Sequence, residues 1–187
     1  MKKTELRKLY KLKRHALNAD AVEDLSFEIA NQLLKLPIWD KSYYHVFLSI
    51  QEFKEVNTEL ILNILSGKDK NIVISKSDFK TLEMNHYLLT DSTVIKIGHF
   101  NIPEPVDGIE VPTEKMEVVF VPLLAFDKQG HRVGYGKGFY DIFLKKCNPK
   151  TVKIGLSFFE AEDVIEDTNE KDVKLDFSIT PNKIYKF

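Results

Sequence analysis

The run EVVFVPLLAF at residues 117–126 is almost unbroken by polar side chains. It is far too short to cross a bilayer, which takes about 20 apolar residues in a helix. A strand with one wet face alternates polar and apolar residues, so a strand without alternation must be covered on both faces. That requirement points to a sheet enclosed between helices. The rest of the chain supplies the parts. The β-rich runs YYHVFLSI (43–50), NIVISK (71–76), TVKIGLSFF (151–159) and KLDFSIT (174–180) alternate with stretches of helical period at 2–17, 20–36, 58–68 and 138–147. Asp20 and Thr58 stand as N-caps, with Pro37 and Gly67 as stops. HYLLT (86–90) and TVIKI (93–97) read as a hairpin or two short strands. This order predicts an α/β fold: one domain over residues 1–187, with a mostly parallel twisted sheet flanked by helices on both faces, Rossmann-like. In such sheets ligands bind beyond the carboxyl ends of the strands.

Immediately after the apolar run comes GHRVGYGKGFYD (130–141), which holds four of the chain's eight glycines. Glycines expose backbone N–H groups without a Cβ in the way. A helix starting near Gly138 adds the positive end of its dipole, so the stretch has the makings of an anion pocket. Arg132 can fork onto a phosphate, Lys137 is a mobile point charge, and Asp141 is suited to a magnesium ion bridging phosphate oxygens. The spacing matches neither the Walker A loop, since Gly138 follows Lys137, nor the dinucleotide fingerprint, since the glycines fall at 134, 136 and 138. On residue chemistry alone, a phosphate site and a flexible turn with incidental charge both stand.

Charge is unevenly spread. Residues 1–15 carry seven Lys or Arg against one Glu, and residues 160–176 carry eight Asp or Glu against two Lys. On a helical wheel Lys3, Arg7, Lys11 and Arg14 fall within about 80° of one another, beside an apolar seam of Leu6, Leu9, Tyr10 and Leu17. The basic end suits phosphates and the acidic end a metal, although for charge runs a solvated face is the first expectation. The single cysteine, Cys147, reads as a small buried hydrophobe, and with no secretory leader evident the expectation is a soluble cytoplasmic protein. The five histidines show no metal-ligand spacing, and Trp39 reads as packing.

VPLLAFDKQGHRVGYGKGFYD (121–141) resembles the signature of the 5-formyltetrahydrofolate cyclo-ligase family, in which a strand ending V/M-P-x-L-x-F-D leads into a G-x-R-hydrophobic-G-x-G-x-G-aromatic-Y-D loop and a helix. KTELR (3–7), FLSIQEFKEVNT (47–58), FNIPEP (100–105) and KDVKLD (171–176) resemble further landmarks of that family, in order. The resemblance runs from residue 3 to about residue 180.

The resemblance implies an ATP- and Mg-dependent closure of 5-formyltetrahydrofolate to 5,10-methenyltetrahydrofolate, with ADP and phosphate released. It implies nucleotide contacts from Lys3, Arg7, Arg132, Val133, Gly134, Tyr135, Gly136, Lys137, Gly138, Phe139 and Tyr140, with Arg132 and Lys137 acting in catalysis. It implies folate contacts from Leu48, Glu55, Ile102, Tyr135 and Phe139, and Mg2+ ligation by Asp141 and Asp172. The Glu55 segment carries two additional residues, Phe53 and Lys54, which leaves Glu52 as a substitute. Lys76 falls where the family often has a basic residue near the ligand. Reduced folate and ATP are the implied partners, with neither nucleic acid nor membrane. Two readings stand beside this one: another phosphate-using α/β enzyme, and a nucleic-acid module built on the basic helix. A sequence pI near 6.5 and the acidic end weigh against the second.

Overall fold

The computed structural model describes residues 1–187. In chain order the elements are α1 (Lys3–His15), α2 (Ala19–Leu33), β1 (Tyr43–His45), α3 (Glu59–Gly67), β2 (Asn71–Asp78), β3 (Glu83–Leu88), β4 (Ile95–Ile97), β5 (Pro103–Pro105), β6 (Val118–Pro122), β7 (Ala125–Phe126), β8 (Arg132–Val133), α4 (Phe139–Lys146), β9 (Val152–Leu156), β10 (Phe177–Ile179) and β11 (Ile184–Lys186). Seven strands form one sheet in the order β11-β10-β9-β6-β1-β2-β3. The five central strands run parallel, and β3 and β11 close the edges antiparallel.

The apolar run sits at the middle of this sheet. Val118 to Val121 are fully buried, because α2 and α3 cover one face and α4 the other. Ile29 and Leu33 of α2 join Ile61 and Leu65 of α3 over Tyr44, Val46, Val118 and Phe120. On the opposite face Phe143, Leu144 and Cys147 pack against Val73, Val119 and Val121. Cys147 is a core residue, and burial raises its thiol to about 12. Helix α1 lies elsewhere: its Leu6 and Tyr10 pack on Leu124, Ala125 and Val133, beyond the end of β6.

Several boundaries differ from the sequence expectation. Asn18, not Asp20, caps α2, its side chain accepting from Ala21 N at 2.8 Å. Thr58 precedes α3 without capping it, because its hydroxyl donates to Phe47 O at 2.7 Å. The segments 86–90 and 93–97 do not pair with one another: β3 runs antiparallel to β2, and β4 pairs with β5. Strand β1 spans only three residues of YYHVFLSI; Val46 N still bonds to Val73 O at 2.9 Å, and the chain leaves the sheet beyond it. The small β7–β8 hairpin and the edge strand β11 have no clear signal in the sequence pattern.

β1 connects through α3 to β2 on one side, while β6 connects through α4 to β9 on the other. The neighbours β1 and β6 therefore flank the point where strand order reverses, where an α/β sheet opens a crevice at its carboxyl end.

Candidate active site

That crevice is present, with a volume of about 530 Å3. Its floor comes from chain leaving the strands: Phe47, Leu48 and Ile50 after β1, Ser75 and Ser77 on the outer half of β2, and Pro122 at the end of β6. One wall is α1, with Lys3, Arg7 and Lys11; the other is the glycine stretch and the start of α4. The β4–β5 turn contributes Phe100 and Ile102 to the rim.

The glycine stretch is held as a rigid hairpin and turn. Asp127, fully buried, accepts from the backbone N–H of Gln129 at 2.9 Å, His131 at 3.0 Å and Ile165 at 3.0 Å, closing the β7–β8 hairpin. Gly136 (φ 93°) and Gly138 (φ 83°) occupy the left-handed region that side chains resist, and Gly138 is the N-cap of α4. A Cβ on Gly136 would also meet the Arg7 guanidinium at 3.2 Å. Gly134 has neither constraint; its carbonyl accepts from Arg7 Nε at 2.9 Å.

Every residue assigned from the sequence lines this one crevice except Val133, whose side chain is wholly buried under α1 and forms no part of its wall. Lys3, Arg7, Arg132 and Lys137 bring positive charge to it. Lys137 is exposed, its Nζ 5.6 Å from the Phe100 ring centre. Arg132 is nearly buried: Nη2 donates to Asp141 Oδ1 at 2.7 Å and Nη1 donates to Val173 O. Asp141 Oδ1 also accepts from Val173 N at 3.1 Å.

The opposed charges of the two chain ends meet here. Lys3 Nζ lies 2.5 Å from Asp172 Oδ2, Lys3 N donates to Asp167 at 2.6 Å, and the terminal amine pairs with Glu166 at 2.8 Å. Burial works to raise the Asp172 carboxyl, but Lys3, the Asn169 N–H and the Arg132 charge together hold it below the usual carboxylate range. No three His, Cys, Asp or Glu side chains cluster as a ready-made cage. Asp141 gives Oδ1 to Arg132 and the Val173 N–H, and Asp172 gives Oδ2 to Lys3 and the Asn169 N–H. This leaves Asp141 Oδ2 without a protein partner and Asp172 Oδ1 with only a long 3.4 Å bond from Asn169 Nδ2. Such a pair suits a magnesium ion that arrives with phosphate oxygens and keeps several waters.

Glu55 and Glu52 are separated by their surroundings. Glu55 is buried on the crevice wall; Ile50 N donates to Oε2 at 2.8 Å and the Tyr135 hydroxyl donates to Oε1 at 2.7 Å. Burial raises its carboxyl above the ordinary range, against the pull of Arg14, Ile50 N and Tyr135. Glu52 is exposed and accepts from Asn101 at 2.5 Å, outside the crevice wall. The two additional residues have structural work: Lys54 Nζ donates to His15 O at 2.7 Å and to Leu17 O, capping the end of α1, while Phe53 packs on Tyr135 with ring centres 5.4 Å apart. Lys76 points away, donating to Val106 O at 3.2 Å.

Sequence reasoning passed over two features. Arg14 falls by helical period on the cationic stripe beside the apolar seam, yet it is only 4 % exposed and donates through Nη1 to Tyr135 at 2.8 Å and through Nη2 to Leu123 O. The histidines show no ligand spacing along the chain, yet His45 Nε2 lies 2.7 Å from Ser75 Oγ, which lies 2.8 Å from His86 Nδ1. This chain ties β1, β2 and β3 together beneath the crevice. Burial lowers both rings, His86 to about 4, so both are neutral at pH 7.

The same chain organisation occurs in known proteins. Residues 1–181 match the 5-formyltetrahydrofolate cyclo-ligase family. A mouse 5-formyltetrahydrofolate cyclo-ligase is 33% identical over 142 residues, covering 70% of this chain and 69% of the mouse protein. A probable 5-formyltetrahydrofolate cyclo-ligase of Schizosaccharomyces pombe is 25% identical across 100% of this chain and 98% of its own length. The solved structure of Aquifex aeolicus 5,10-methenyltetrahydrofolate synthetase superposes with a TM-score of 0.84 at 28% identity, covering 100% of this chain and 93% of that one. The Mycoplasma pneumoniae 5,10-methenyltetrahydrofolate synthetase has the same fold, with a TM-score of 0.77 at 23% identity, covering 97% and 99% of the two chains. A match over nearly the whole length, joined to a crevice at the switch point of the sheet, leads to one conclusion: this chain belongs to the 5-formyltetrahydrofolate cyclo-ligase family of ligases.

Proposed function

We propose that this protein closes 5-formyltetrahydrofolate to 5,10-methenyltetrahydrofolate at the expense of ATP, in the crevice between α1 and the glycine stretch. The observation that carries the reading is the joining, in one cavity, of a cationic glycine turn and a buried carboxylate among apolar walls. The first matches a polyphosphate and the second a flat heterocycle with a donor edge.

In the reaction the formyl oxygen on N5 takes the terminal phosphoryl group of ATP, and ADP leaves. N10 then attacks the activated carbon and loses its proton, and the carbon–oxygen bond breaks to release phosphate. An amide oxygen is a poor leaving group, and phosphorylation makes it a good one. For such transfer a protein chiefly supplies position and charge neutralisation.

Lys3, Arg7 and the turn from Gly134 to Gly138 hold the polyphosphate. Arg132, locked by Asp141 and Val173 O, presents a fixed cation, while exposed Lys137 follows the phosphoryl group as it moves. Leu48, Ile102, Tyr135 and Phe139 wall the pterin, and Glu55 accepts from its donor edge. Asp141 and Asp172 would hold the magnesium ion, which supplies charge neutralisation on phosphate oxygens when bound. The test is direct. The protein, 5-formyltetrahydrofolate, magnesium and ATP are mixed, and the near-ultraviolet absorbance of the methenyl product is followed alongside ADP release. Absence of ATP-dependent product from folded protein refutes the reading.

A further inference from the structure

Arg14 is buried and lines no part of the crevice wall, yet its hydrogen bonds reach the carboxylate there through Tyr135. The directions of those bonds are forced by chemistry. A guanidinium only donates, so the Tyr135 hydroxyl accepts from Arg14 Nη1 at 2.8 Å. The single phenolic proton is then committed to Glu55 Oε1 at 2.7 Å. Glu55 Oε2 accepts the Ile50 N–H at 2.8 Å. Both oxygens accept and neither is offered an acceptor by these partners, a pattern that favours the ionised Glu55, as does the Arg14 charge behind Tyr135.

Remove the guanidinium and that constraint vanishes. The phenol can then accept a proton bond from Glu55, and burial favours the neutral acid. A neutral Glu55 would present a donor to the crevice instead of an acceptor. Around Glu55 stand Arg14 of α1, whose cation favours the ionised form, the phenols of Tyr135 in the glycine stretch and Tyr140 at the start of α4, and Lys11 of α1 on the crevice wall, 5.9 Å from the Tyr135 ring centre. Burial raises both phenols, so both stay neutral and neither supplies a charge in place of Arg14.

The surroundings hold the relay still. Phe53 packs on the Tyr135 ring, and Lys54 ties the neighbouring segment to the last carbonyls of α1. Arg7, two turns before Arg14 on the same helix, grips the glycine turn at Gly134 O. One helix therefore reaches the glycine turn through Arg7 and the Glu55 carboxylate through Arg14.

We infer that Arg14 is a positioning residue for the folate substrate: acting through the Tyr135 hydroxyl, it holds Glu55 as a fixed, ionised acceptor for the donor edge of the heterocycle. The inference rests on the folate reading given above. It assigns Arg14 to recognition of the folate, distinct from recognition of ATP.

The test compares Arg14→Met, Arg14→Lys, Tyr135→Phe and the Arg14→Met/Tyr135→Phe double variant with the parent, each shown folded by circular dichroism. Steady-state KM is measured for 5-formyltetrahydrofolate and for ATP, with direct folate binding followed by fluorescence quenching. Arg14→Met is expected to raise the folate KM about ten-fold or more and leave the ATP KM within about two-fold. As pH falls, its folate KM is expected to begin climbing at a higher pH than the parent's does, because the pull of Arg14 against burial is gone. Arg14→Lys, which keeps a cation, should recover part of the loss. The double variant should be no worse than the poorer single one, because both act through one relay. An equal rise in both KM values, an additive double variant or an unchanged folate KM in Arg14→Met overturns the inference while leaving the folate reading intact. A parent that neither binds nor converts the folate overturns both.

Discussion

Asp141 gives one carboxylate oxygen, Oδ1, to both Arg132 Nη2 at 2.7 Å and Val173 N at 3.1 Å. Together with Val173 O, which takes Arg132 Nη1, this shared oxygen fixes the guanidinium at the crevice edge and joins the first turn of α4 to the acidic segment near Asp172. The same side chain therefore serves two purposes, holding the arginine and offering its other oxygen to a metal. Asp141→Asn keeps the shape and removes the charge. We expect it to raise the magnesium concentration needed for half-maximal activity by about ten-fold or more, while the melting temperature falls only modestly. A magnesium titration of activity beside a thermal melt checks both halves, and an unchanged titration removes Asp141 from metal binding.

Lys137 has no carboxylate partner and its side chain lies open to the crevice. Lys137→Ala should lower kcat by about 100-fold or more, the scale of losing one aimed charge from a transition state. Its stability should stay within about 0.5 kcal/mol, as for surface substitutions. Turnover and urea unfolding measured on one preparation separate the two effects.

Glu55→Gln replaces an acceptor carboxylate with a near-isosteric amide. The loss of a charge-assisted hydrogen bond is worth about 1.5–3 kcal/mol, which corresponds to a rise of roughly ten- to hundred-fold in the folate KM. The ATP KM should hold. Glu52→Gln should alter neither constant, and kinetics on the pair decides which glutamate reads the heterocycle.

The buried His45–Ser75–His86 chain gives the fold an acid limit. The His86 value falls from 6.5 to about 4 on folding, chiefly through burial. The unfolded chain then binds the proton more readily, so stability is full above about pH 6.5 and is lost as pH falls toward 4. The His86 share is roughly 3 kcal/mol. Urea unfolding from pH 7 to 4.5 should show the decline, and His86→Gln should flatten it. Parallel curves for the parent and the variant would contradict the assignment.

The alternation of apolar strand and amphipathic helix was legible in the sequence because each follows a local period, and so were the α/β class and the buried strand at 118–121. The glycine stretch was legible for a similar reason: left-handed backbone at Gly136 and Gly138 needs glycine whatever surrounds it. Arg14 shows where local pattern ends. On a helical wheel it sits among Lys3, Arg7 and Lys11, and nothing along the chain distinguishes it from a solvated charge. Only when residues 50–55, 123 and 135 close around it does it become a buried donor, with Leu123 O, Tyr135 and Glu55 in its reach. The histidines are alike, since Ser75 comes between His45 and His86 only through the register of β1, β2 and β3. Burial and hydrogen-bond direction depend on residues distant in sequence, so the class of fold and the anion turn could be read from the chain alone. The partnership that polarises Glu55 was decided by the tertiary structure.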